Sequence, residues 1–212
     1  LAVSRAADIR GFSATLIFDL YGRLYKIEGA TDAARALLQT GLGYLDRLAK
    51  ECQDDPAVLR QLAHGHLHLY NQQAGLYHAN LGQLEEGEKS LDRAAELVRL
   101  LAPTGELESR DRVLASQIEV SRGDLLRRRG DDLGAFARYA QAVRHAEPLE
   151  HDPDAGPRER YFLMTAIGRV AEWQVENGRL EEAEESYAHA QFLLEQLVIE
   201  NPGESAYLND LA

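Results

Sequence analysis

Apolar residues recur along this chain at the three- and four-residue spacing of helices with one buried face. Leu16, Ile17, Leu20 and Leu24 keep that spacing and predict a long helix over Ala2–Ile27. Gly29-Ala30-Thr31-Asp32 reads as a stop followed by a start, with Thr31 as N-cap of a helix from Asp32 to Glu51. Asp54-Asp55-Pro56 opens the next helix, with Asp55 as cap and Pro56 at its first position. Further helices are predicted near 57–79, 84–101, 106–129, 132–147, 157–177 and 180–200. Pro103 and the run His151–Pro157 mark linkers, and Asn201-Pro202-Gly203 ends the last full helix. Residues 205–212 read as the start of a further helix that is cut short.

The pattern repeats. Gly82, Gly130 and Gly178 lie 48 residues apart. Four other columns keep that step: Gly75/Gly123/Ala171, Gly87/Ala135/Ala183, Leu91/Tyr139/Tyr187 and Ala94/Ala142/Ala190. Two antiparallel helices approach closely only where small residues face each other, and the first two of these columns supply that contact. The Gly82 column falls at the turn, where a positive φ costs glycine little. The Leu/Tyr/Tyr column is expected to fill space between neighbouring hairpins. Asp132 stands where an apolar residue is expected, so the second hairpin should be the least regular.

The columns Gly75, Gly82, Gly87, Leu91 and Ala94, offset by 0, 7, 12, 16 and 19 positions, resemble the tetratricopeptide repeat. That family's period is about 34 residues, so the longer step here implies longer helices or loops. The resemblance implies an all-α, right-handed solenoid of helical hairpins. Its expected organisation is an N-terminal helical pair (1–52), three hairpins (53–104, 105–152 and 153–204), and a truncated helix (205–212).

Composition agrees with an all-α chain: 33 Leu and 30 Ala against six Pro among 212 residues. The formal net charge is −12, which argues against nucleic acid and against an anionic membrane surface as partners. The one cysteine, Cys52, excludes an internal disulfide framework and any multi-cysteine metal site. No run of roughly 18 apolar residues is present. The only methionine is Met164, so the expectation is an excised region of a longer protein.

An ordered series in the first ninety residues carries a second resemblance. It comprises Ile17-Phe18-Asp19-Leu20, Gly29-Ala30-Thr31, Ala34-Arg35, Leu38, Tyr44-Leu45-Asp46-Arg47-Leu48-Ala49, Leu62-Ala63, Gly75 and Asn80-Leu81-Gly82. It is similar to the repeat region that follows the catalytic domain in many bacterial serine/threonine protein kinases. This resemblance implies a sensor region, periplasmic or extracytoplasmic, joined through a membrane span outside these residues to a cytoplasmic kinase. The alternative is a cytoplasmic repeat scaffold in a transcriptional or signalling regulator.

The sequence offers no catalytic constellation: it has no Gly-rich phosphate loop, no kinase motif and no Gly-x-Ser-x-Gly elbow. The chain itself is expected to be no enzyme and to need no cofactor. Cys52 follows Lys50-Glu51 and precedes Asp54 and Asp55, a setting that opposes a reactive thiolate. His64 and His68, at i and i+4, are weak metal candidates beside His66 and His78, with no carboxylate among them. Glu181, Glu182, Glu184 and Glu185 read as a solvated outer helix face.

In the tetratricopeptide family the first helix of each hairpin lines a concave groove. By the 48-residue step, the resemblance assigns Leu69, Gln72, Gln73 and Leu76 to that groove in the first hairpin. In the second it assigns Gln117, Val120, Ser121, Asp124, Arg127 and Arg128, and in the third Thr165, Arg169, Glu172 and Glu176. Amides, both charge signs and a few apolar groups suit an extended peptide or a partner's helix. A protein or peptide ligand, or pairing of two such chains into a homodimer, is the expected partnership.

Overall fold

The computed structural model describes residues 55–75, 82–102, 106–203, Tyr207 and seven positions between 33 and 43. All regular structure among them is helical. The seven positions between 33 and 43 are helical and fall inside the helix expected from Asp32. The rest of the expected N-terminal pair, with Thr31 and Cys52, lies outside the described residues, as do Leu76 and His78. The chain divides into two compact units, Leu1–Glu106 and Leu107–Ala212.

In the first unit, α1 (Pro56–Ala74) pairs with α2 (Leu84–Leu101). The Asp55 carboxylate accepts from the backbone N–H groups of Ala57 (3.0 Å) and Val58 (3.5 Å), and Pro56 occupies the first turn. Both are the start signals expected there, because the first-turn donors have no partner inside the helix. The end of α1 differs from expectation. The helix stops at Ala74, and Gly75 turns out of it at φ −59°, ψ 130° while its N–H donates to the Asn71 carbonyl. Glycine loses more backbone entropy in a helix than any other residue, which makes it a ready exit point. The close approach assigned to Gly75 is instead made one residue earlier. A Cβ on Gly87 would lie 2.7 Å from the Ala74 Cβ and 3.2 Å from the Tyr70 ring. Leu91 and Ala94 of α2 are buried.

The second unit holds α3 (Ser109–Arg128), α4 (Asp132–Ala146), a 3-10 turn (Glu147–Glu150), α5 (Pro157–Glu176) and α6 (Leu180–Glu200). Helix α3 pairs with α4 and α5 with α6, and α5 also packs on α3 and α4. The two hairpin turns are the same. Gly130 has φ +80° and Gly178 φ +71°. The N–H of Gly130 donates to Arg127 and that of Asp131 to Leu126; Gly178 and Arg179 repeat this with Val175 and Gln174. These paired bonds satisfy the last carbonyls of the first helix and need a left-handed residue at the turn.

Asp132 does not disturb the second hairpin. It is exposed at the start of α4, where Asp131 caps the Gly134 N–H at 2.9 Å, and its own carbonyl accepts from Trp173 Nε1 at 2.8 Å. The irregular hairpin is the first, through the early end of α1. Pro148 explains the end of α4: proline has no N–H to continue an α-helix, and the chain tightens into the 3-10 turn. That turn buries Leu149 completely.

Leu149 joins a core of Val113, Ala146, Leu163, Ile167, Ala190 and Leu193. A second cluster sets Tyr139 and Ala135 against Trp173, with Phe136 stacked on Trp173 at 4.2 Å. Tyr207 is helical and packs with Leu194 and Leu197; the remaining residues of 205–212 lie outside the described set.

Candidate binding face

Helix α3 brings Asp124, Arg127 and Arg128 to its C-terminal half, and α5 brings Arg169, Glu172 and Glu176 to its own. Arg127, Arg169, Glu172 and Glu176 pair with one another. Arg127 bridges to Glu176 across the two helices and lies 3.8 Å from Glu172. Arg169 grips both oxygens of Glu172, at 3.0 and 2.9 Å, on its own helix. Glu172 and Glu176 keep substantial exposure, so each pair contributes about 1 kcal/mol or less to stability. Arg127 alone among them ties α3 to α5, through Glu176 and Glu172.

Asp124 is buried beneath these pairs and accepts a 2.8 Å hydrogen bond from the Tyr139 hydroxyl. Burial pushes its carboxyl above the ordinary value of 3.8 and Glu172 adds to the rise, against the opposing pull of the Tyr139 hydroxyl, Arg169 and Arg127. Removal from water disfavours the ionised form, and here it outweighs the nearby cations. Tyr187 of α6 stands at the edge of the same group. Its hydroxyl is raised, first by desolvation and then by Glu172 and Glu176.

Of the residues expected along a groove, the structure therefore gathers Asp124, Arg127, Arg169, Glu172 and Glu176. Arg128 is exposed, Gln117 and Val120 are half-buried, and Ser121 is buried. Thr165 turns its hydroxyl back to the Tyr161 carbonyl at 3.0 Å. In the first unit Leu69, Gln72 and Gln73 are buried. Gln73 Oε1 accepts from Ser90 Oγ of α2 at 2.8 Å, which turns this side chain toward its hairpin partner and corrects its assignment to an open groove.

Sequence reasoning did not assign Tyr139 or Tyr187 to this face. Their signal was present: each follows the α3 or α5 carboxylate of its own hairpin by 15 residues, Asp124 to Tyr139 and Glu172 to Tyr187. A second ionic group was also not anticipated. Glu119 is buried and accepts from Arg122 at 2.9 Å and from Arg138 of α4 at 3.0 Å.

His64 and His68 are exposed and His66 is buried. Among the described residues no group of three or more His, Cys, Asp or Glu side chains could hold a metal ion. Glu181, Glu182, Glu184 and Glu185 are exposed on α6, with Arg179 paired to Glu182 at 3.0 Å. No helix among the described residues is long and apolar enough to cross a membrane. No protein-family model matches the chain, and no curated protein matches it.

Proposed function

We propose that the chain is a tetratricopeptide-type, right-handed helical-repeat module that binds a protein or peptide. The observation that carries this reading is the recurrence of one hairpin design. Gly82, Gly130 and Gly178 all take a positive φ at a 48-residue step, and the second-helix residues Gly87, Ala135 and Ala183 are all buried. Stacked hairpins of this kind present a row of first helices, and a row of first helices is an extended surface. The α3–α5 face offers both charge signs, which suits a ligand read by side-chain pairing rather than by apolar burial alone.

On the sequence resemblance, we place this module as the sensor region of a membrane-bound bacterial serine/threonine protein kinase, on the periplasmic or extracytoplasmic side. Its mechanism is ligand- or partner-biased assembly. A ligand that binds the assembled form more tightly shifts the population toward it and brings the kinase domains together.

Two measurements test the two levels separately. A peptide array probed with the whole chain should yield binders that the Glu172→Lys/Glu176→Lys variant loses. Binders indifferent to that double variant would remove the α3–α5 face from the proposal. The sequence of the complete gene product should show a kinase domain and one apolar span before Leu1. A DNA-binding domain there instead would sink the sensor reading while leaving peptide binding in place.

A further inference from the structure

A concave site lies where α4, α5 and α6 meet. It is a slot of about 360 Å³, within the range of small ligand pockets. Its floor and walls are mostly apolar: Leu163 and Ile167 are buried, Val143, Val170 and Ala140 are half-buried, and the half-buried Ser186 donates its hydroxyl to Gln174 Oε1 at 2.8 Å. On α5 the slot residues 163, 167 and 170 follow i, i+4, i+7 spacing. At 3.6 residues per turn, Arg169, Glu172 and Glu176 fall on the roughly opposite side of that helix. The slot is thus separate from the ionic face, and its occupancy does not depend on the function proposed above.

The rim has one sign of charge. Glu147 and Glu185 stand exposed on its two sides. His189 also lines it, with Nε2 3.1 Å from Glu150 Oε2. Among the described residues lining it, none is lysine or arginine. An apolar floor ringed by carboxylates selects against an acidic or neutral polar occupant. A second copy of the chain is also disfavoured, because it would bring the same net charge of −12 to an acidic rim.

We propose that this slot docks a basic peptide segment of a partner protein, which inserts one large apolar side chain and sets flanking lysine or arginine residues against Glu147 and Glu185. The apolar floor supplies the anchor and the carboxylates supply orientation.

The test uses the whole isotope-labelled chain and three synthetic peptides of equal length. One has tryptophan and leucine between lysine pairs, one has the same core between glutamate pairs, and one has lysine pairs around glycine and serine. The first should shift the methyl signals of Val143, Ile167 and Val170, and the other two should not. Glu147→Lys/Glu185→Lys should weaken that binding about tenfold or more at low salt. Val170→Trp, which fills the slot, should abolish it. Glu184→Lys/Glu195→Lys, an equal charge change on the far side of α6, should leave affinity unchanged and shows that net charge alone is not responsible. The proposal is overturned if the shifts map outside the slot, if the acidic peptide binds as well, or if the double variant keeps its affinity. It is also overturned if the slot signals move with protein concentration alone, which would make a second copy the occupant.

Discussion

Helices α3 and α4 form one hairpin of the second unit, and α5 and α6 form the other. They share a turn, a register and a tyrosine, yet the two tyrosines end in opposite places. Tyr139 is fully buried, while Tyr187, 48 residues later, is 45 % exposed. The difference traces to the facing position on the first helix. Tyr139 lies directly over Gly123, where an added Cβ would overlap its ring. The equivalent residue is Ala171, which carries that Cβ. Tyr187 stays at the surface beside Glu172 and Glu176, whereas Tyr139 reaches in to bond Asp124. We propose that this one methyl group separates a buried polar contact from a surface tyrosine, as close packing leads one to expect.

The comparison is broken most strongly by removing each ring. Tyr139→Ala should destabilise the chain by about 4 kcal/mol, the cost of emptying a filled core site. Tyr187→Ala should cost about 0.5 kcal/mol, like other surface changes. Urea unfolding of the two variants reads the contrast directly, and equal losses would refute it. Gly123→Ala comes next. Alanine gains about 1 kcal/mol in helix propensity, but the Tyr139 ring must move and Asp124 loses its donor. Overpacking and the broken hydrogen bond together should leave a net loss of about 2 kcal/mol. A stabilised Gly123→Ala variant would show that the ring can be reseated cheaply.

Much of the helix pattern was legible because it depends on local signals. Asp55-Pro56 at the start of α1, the glycines at 130 and 178, and Pro157 at the start of α5 each act within one turn of the chain. The 48-residue step also names Asp124 and Glu172 as equivalent positions, and both lie close to Arg127 and Arg169. What escaped depends on contacts between distant residues or on competing local choices. In sequence Gly75 reads as a packing residue because Gly123 and Ala171 share its column, but a glycine serves a close approach or an exit from the helix equally well. The 3-10 turn at Glu147–Glu150 ends a helix that the apolar pattern alone would have ended at nearly the same residue, and only the burial of Leu149 gives it a purpose. The fate of Tyr187 depends on what faces its ring across the hairpin, which the column Gly75/Gly123/Ala171 does not tell by itself.

The buried carboxyl sharpens the comparison through pH. The fold holds Asp124 above its ordinary 3.8, so the folded state favours the protonated form. That contribution is fully present below 3.8 and is lost as pH rises through the raised value. Asp124→Asn carries no charge and keeps an oxygen for Tyr139 to donate to. Its stability relative to the parent chain should therefore rise as pH increases through that window and level off once the raised value is passed. Urea midpoints for both proteins across acid and neutral pH give the difference. A flat difference would mean that Asp124 is not desolvated as its burial indicates.

The smallest effect is the most specific. If the Ala171 methyl is what keeps Tyr187 out, then Ala171→Gly should let it in. Glycine in mid-helix costs about 1 kcal/mol, and burial of part of a tyrosine ring offsets a similar amount, so the net stability change should be within about 0.5 kcal/mol. Stability is therefore the wrong readout, and accessibility is the right one. Nitration of the native chain, followed by peptide mapping, should modify Tyr187 in the parent and spare it in the variant, while Tyr139 is spared in both. Persistent nitration of Tyr187 in Ala171→Gly would mean that the surrounding charges of Glu172 and Glu176, rather than the methyl group, hold the ring at the surface. Pairing Ala171→Gly with Glu172→Asp, which restores the carboxylate length found in the other hairpin, would then separate the two causes.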